Sequence, residues 1–97
     1  MQSILQRHKR CLFCHTTANL EDHHVYEGAD RHISEQYGLK VWLCRYHHQG
    51  DIRGNDNSVH YNIKIQKTLK AWAQKKAMKY YGWSVEDFRE RLGRSYI

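Results

Sequence analysis

The alternation of apolar and polar positions predicts two short strands followed by helices. Residues 19–27, NLEDHHVYE, read as a strand with polar interruptions that stops at Gly28. The stretch ADRHISEQYG that follows reads as a loop with one helical turn, Ser34 as its N-cap and Gly38 as its stop. Residues 39–44, LKVWLC, are β-branched and aromatic and predict a second strand. RYHHQG reads as a brief helical turn closed by Gly50, and DIRGNDNS, at 51–58, as a loop.

From Asn62, a good N-cap, the period lengthens to that of a helix running to about Tyr81. Ile65, Leu69, Trp72, Ala73 and Tyr80 fall on one stripe, the expected packing face. Gly82 ends this helix. A second helix opens at SVED, where Ser84 and Asp87 stand in capping-box positions, and runs to about Leu92. The order predicts an α+β chain: two strands, a knot of metal ligands, and C-terminal helices. At 97 residues this is one domain, 1–97, with a modest core that a metal clip would help.

Charge narrows the list of partners. A net charge of +6 and a pI near 9.4 point to a polyanion, most often nucleic acid. A membrane surface fits less well, because the long helix lacks a clean split between basic and apolar faces. The N-terminal MQSILQRHKRC has no apolar signal region, and no stretch approaches the ~20 apolar residues of a membrane span. The expected location is the cytoplasm, a reducing compartment where three cysteines serve better as metal ligands than as disulfides.

Those cysteines come in a telling pattern. CLFCH, at 11–15, has the spacing of a c-type haem attachment, but it is equally half of a zinc site. Haem would need export and would leave Cys44 and His47 unexplained, so no haem is expected. CRYH, at 44–47, repeats the two-residue spacing of Cys11 and Cys14. The two pairs complete a Cys3His set for a closed, structural zinc: Cys11, Cys14, Cys44 and His47. His48 is an alternative fourth ligand, and spacing leaves that choice open.

Eight histidines are more than the zinc needs. His23 and His24 lie side by side near the end of the first strand, where alternation turns them to opposite faces unless a bulge re-aims one. His48 follows the zinc pair, and His60 ends the loop before the long helix. If the chain folds back, these meet beside the zinc. Neutral imidazole is both a good ligand and a base suited to physiological pH. His8 and His32 read as surface residues, and His15 as exposed beside the zinc knot.

Together the Cys-x-x-Cys at 11–14, DHHV, GLKVWLCRYHH and the VH at 59–60 resemble the HNH endonucleases, the ββα-metal nuclease class, in its small, zinc-stapled, phage-type form. The resemblance covers about residues 11–62, and the terminal helices lie outside it. It implies a core of two antiparallel strands and a helix around one divalent cation, Mg2+ or Mn2+, acting on DNA, in the first instance double-stranded. By position His24 matches the general base and His23 a metal ligand. His48 matches the residue after the second zinc pair, and His60 the last histidine. Arg31 is placed to reach a phosphate as a charge-assisted, substrate-binding donor. The family's middle Asn, which orients the base, has no clear match; Asp30 is the nearest guess. The gap from His48 to His60 holds Gly50 and Gly54, so these two do not share one helical turn.

The implied chemistry is phosphodiester hydrolysis in a bacterial cell, phage-encoded or not, with the cation as Lewis acid and charge clamp. The alternative is a zinc-dependent nucleic-acid-binding module without activity. A protein-interaction zinc module accounts for the cysteines but leaves the histidines and the basic charge without a role. The six lysines of the long helix are scattered around it, which fits phosphate tracking and a solvated face equally. Oligomeric state, a homodimer included, stays open.

Overall fold

The computed structural model describes residues 1–50 and 57–97; most of the expected loop at 51–58, with Gly54, lies outside the described residues. Strands β1 (Leu20–His24) and β2 (Lys40–Cys44) form an antiparallel hairpin in which Leu20 faces Cys44, Asp22 faces Trp42 and His24 faces Lys40. Between them lie a single turn of 3-10 helix (Gly28–Asp30) and helix α1 (Arg31–Tyr37). Helix α2 (Arg45–Gln49) follows β2 directly, and α3 (Ile63–Tyr81) and α4 (Val85–Leu92) complete the chain. The architecture is α+β with a two-stranded antiparallel sheet.

The first strand is shorter than 19–27. Pairing ends at His24, a last ladder-like bond runs from the Val25 amide to Leu39 (3.0 Å), and Gly28, at φ 61°, turns the chain into the 3-10 segment. Helix α1 has two turns where one was expected, and Ser34 is not its N-cap. Asp30 holds that position without a side-chain bond. Ser34 is buried mid-helix, where its hydroxyl donates to the Tyr26 carbonyl (2.8 Å) and accepts from the Tyr26 amide (3.0 Å). It satisfies the backbone of the strand where the ladder stops, a requirement that local sequence does not reveal.

The N-terminal segment covers the outer edge of β2. Leu12 donates to the Trp42 carbonyl (2.9 Å), the Trp42 amide donates to Gln6 Oε1 (2.6 Å), and Ser3 donates to the Lys40 carbonyl. An edge that would otherwise offer unpaired groups is thereby closed. Gly38, at φ 68°, permits the close approach: a Cβ there would overlap the Gln2 carbonyl oxygen.

Helices α3 and α4 end in the same core as the hairpin. Val25, Leu39, Val41 and Leu43 cluster with Leu69, Ala73, Ala77, Phe88 and Leu92. Tyr26 is the joint: its hydroxyl donates to the Lys70 carbonyl (2.7 Å), and its ring lies against Phe88 and Tyr96. The caps stand as expected. Asn62 accepts from the Lys64 and Ile65 amides, and Ser84 and Asp87 form a full capping box. Tyr80, expected on the packing stripe, is instead 62% exposed. Tyr81 takes the inward place, donating to the Tyr37 carbonyl (2.7 Å) and stacking on Trp83. No helix among the described residues is long and apolar enough to cross a membrane.

Candidate active site

The cysteine pairs meet as their spacing requires. Cys11 and Cys14 sit in the turn before β1, Cys44 ends β2, and one turn of α2 carries His47 back to them. Their ligand atoms all lie within 4.8 Å of one another, close enough to bind a metal. His47 Nδ1 is 3.2 Å from Cys44 Sγ and 3.6 Å from Cys11 Sγ, and the Cys14 and Cys44 sulfurs are 3.8 Å apart. Tetrahedral zinc, with bonds of about 2.3 Å to sulfur and about 2.0 Å to nitrogen, sets its ligands roughly 3.5–3.8 Å apart. Donor set and spacing therefore fit a structural zinc, and His47, not His48, is in place as the fourth ligand. Burial pushes the Cys11 thiol up, but hydrogen bonds from the backbones of Cys44, Cys14 and Phe13 more than offset it and leave the thiol below its ordinary value. Such bonds favour the thiolate that a metal needs.

On the face of β1 that turns toward α2, His23 meets His48 and His60. Ring centroids are 5.0 Å apart for His23–His48, 4.6 Å for His48–His60 and 5.8 Å for His23–His60. The three offer nitrogen ligands within 4.8 Å of one another. His60, separated from His48 by the glycine-containing gap, is brought back by the chain itself. The Val59 amide donates to the His47 carbonyl (2.8 Å) and the His60 amide reaches the His48 carbonyl (3.3 Å). His23 is 3% exposed. Burial first, and then the facing imidazoles of His48 and His60, bring its pKa down to about 3, so it stands neutral and able to ligate.

Glu21, also on this face, supports the cluster. Its carboxylate lies 2.8 Å from His48 Nδ1 and accepts from Gln49 Nε2 (2.7 Å). The bond to His48 holds the Glu21 carboxyl below its ordinary pKa, so it can only accept, and Nδ1 carries the proton. His48 Nε2 is left free to ligate, in the carboxylate–histidine arrangement common around metals.

His24 does not join this cluster. Strand alternation turns it to the opposite face, where it groups with Asp22 and Glu35. The expected convergence of His23, His24 and His48 on one point is thus divided: His23, His48 and His60 form one site, and His24 another on the adjacent residue. Nor does Asp30 orient His24. Glu35, from α1, does so, with Oε2 2.9 Å from His24 Nε2. Glu35 also accepts from Lys40 Nζ (2.9 Å) and from the terminal amine of Met1 (3.2 Å). Lys40 first, then His24 and the terminal amine, lower its pKa to about 2. An ionised Glu35 fixes the His24 proton on Nε2 and leaves Nδ1 as the acceptor. Arg31 lines the same cleft, with Gly28 and His32. Neither Glu35 nor Glu21 stands out in the sequence; the signal was a carboxylate on a helix face within one turn of Arg31, and another two residues before His23.

Compared with known families, curated proteins and solved structures, the chain matches no family model, no curated protein and no solved structure.

Proposed function

We propose that the protein is a metal-dependent endonuclease that hydrolyses phosphodiester bonds in DNA, of the HNH kind its motifs resemble. One observation carries the reading: adjacent residues of one strand, His23 and His24, belong one to a three-imidazole cluster with His48 and His60 and the other to a carboxylate-held pair with Glu35. A structural zinc alone requires neither.

A cation held by His23, His48 and His60 would supply Lewis acidity and charge stabilisation at the phosphate. A set of three imidazoles favours a borderline transition metal such as Ni2+ or Zn2+ over Mg2+ or Mn2+, which prefer oxygen ligands. Both clusters flank the end of β1, so the scissile phosphate would lie across that end, where His24 would accept a proton from the attacking water at Nδ1 while Glu35, on Nε2, stabilises the imidazolium that forms. Arg31 offers the scissile phosphate a charge-assisted donor in the same cleft. A zinc held by Cys11, Cys14, Cys44 and His47 would have all four positions filled by protein and would serve the fold.

A supercoiled-plasmid assay with Mn2+, Ni2+ or Mg2+ tests this, comparing wild type with His24→Ala at equal zinc content. Metal-dependent nicking that His24→Ala abolishes is the expected result. A zinc-loaded wild type that binds DNA but cuts it with none of these metals would leave only the binding module.

A further inference from the structure

The face of the hairpin that carries His24 continues beyond Glu35. Asp22, beside His24, also lines a groove of about 850 Å3 between the N-terminal segment and β2. Trp42 faces Asp22 across the hairpin there, half-buried, with Lys9 Nζ 4.5 Å from its ring centroid. Ile4 and Lys76 belong to this groove and also to a hollow of about 630 Å3 on α3. In that hollow Trp72 and Tyr80 stand with Lys75 and Lys79. Because the hollows share lining residues, they run into one another from the His24 cleft to the outer flank of α3.

Cations and aromatic rings alternate along this path. Lys9 lies over Trp42, Lys76 Nζ is 5.3 Å from the Trp72 ring centroid, and the exposed Tyr80 follows Lys79. Among the described residues, Asp22 is the one acidic side chain lining the groove and the hollow, and it lies 3.7 Å from Lys40 Nζ. Among the described residues Arg7, Lys9, Lys75, Lys76 and Lys79 have no carboxylate partner. A duplex backbone would engage the cations but not the rings. Unpaired bases stack on aromatic faces whatever their sequence, while cations beside them neutralise phosphates.

We infer that this path is a track for a single strand of nucleic acid, its bases stacked on Trp42, Trp72 and Tyr80 and its phosphates paired with the flanking lysines. The inference rests on the reading of the His24 cleft as a phosphodiesterase site, and it makes an unpaired strand, not a plain duplex, what is held beside His24. Lys9 and Lys76 occupy the ring faces in the free protein and move to phosphates when bases replace them.

The test is fluorescence anisotropy of labelled oligothymidylate against a blunt duplex of equal length. It uses zinc-loaded protein without other divalent metal, so that no cleavage intrudes. Oligothymidylate should bind more tightly than the duplex. Tyr80→Ala, at an exposed position that leaves the fold intact, should weaken oligothymidylate binding roughly tenfold and leave the duplex unaffected. Lys75→Ala with Lys79→Ala should flatten the slope of log affinity against log salt by about 0.7 for each phosphate that is no longer neutralised. Trp42→Phe, which keeps a ring, should bind more tightly than Trp42→Leu. Wild-type affinity for oligothymidylate in Tyr80→Ala and in the double lysine variant would overturn the track. Plasmid cleavage is scored separately. Protein that binds through Tyr80 and cuts nothing keeps the track and loses the nuclease. Protein that cuts while its binding ignores Tyr80 and the lysines loses the track.

Discussion

His24 and Glu35 are eleven residues apart in the chain and 2.9 Å apart in the fold. Glu35 fills the position for which the sequence offered only Asp30, and it does so from a helix inserted between the two strands. Glu35→Gln keeps the side chain's shape and removes its charge. On the proposed role of His24 as base, metal-activated cleavage should fall about tenfold or more, because the imidazolium formed in the transition state would lose its counter-charge. Zinc content and thermal midpoint, measured on the same samples, should stay close to wild type, since the pair is partly exposed and such ion pairs contribute little stability.

The bond between Glu21 and His48 predicts a separate effect. Glu21→Gln should weaken binding of the metal proposed for the His23, His48 and His60 cluster by roughly 10–100-fold without touching the zinc site. Titration calorimetry with Mn2+ or Ni2+ on zinc-loaded protein reads the change directly. Equal affinity in wild type and Glu21→Gln would show that the carboxylate does not set the His48 tautomer.

Removing the structural metal should unfold the domain. Zinc in such a knot contributes about 10–16 kcal/mol of apparent folding free energy, against a total stability of about 5–15 kcal/mol for an ordinary domain. A chelator, or Cys11→Ser at the buried ligand, should abolish the cooperative thermal transition seen by circular dichroism. A chelated protein that still melts cooperatively would contradict a structural role.

His23 predicts how stability changes with pH. Its folded pKa, about 3, lies below its unfolded value of 6.5, so the unfolded chain takes up the proton first. This contribution is fully present above about pH 6.5 and is lost as pH falls toward 3. Between pH 7 and pH 5 it amounts to roughly 2 kcal/mol. Urea unfolding of wild type and His23→Gln, without the second metal, isolates it: zinc loss affects both proteins, and only wild type should carry the extra pH dependence. Parallel curves would mean that His23 takes up its proton as readily in the fold as in the unfolded chain.

Local features of the chain were legible in the sequence. Two Cys-x-x ligand pairs place four donors at one tetrahedral spacing because each pair's reach is covalent and short. Asn62, Ser84 and Asp87 cap helices through bonds spanning only a few residues, and the strand alternation of His23 and His24 needs no more than the backbone period. Long-range choices were not legible. Tyr80 and Tyr81 both lie near one helical stripe, and only packing against Tyr37 and Trp83 turned Tyr81 inward. Ser34 reads as a cap until the broken ladder at Tyr26 claims its hydroxyl. The return of His60 to His48, the reach of Glu35 to His24 and the gathering of α3 lysines beside the N-terminal groove all join residues with no local signature. The candidate metal ligands were written in residue types and short spacings; which histidine faces which partner was decided by the folded chain, because burial and pairing act between positions far apart in sequence.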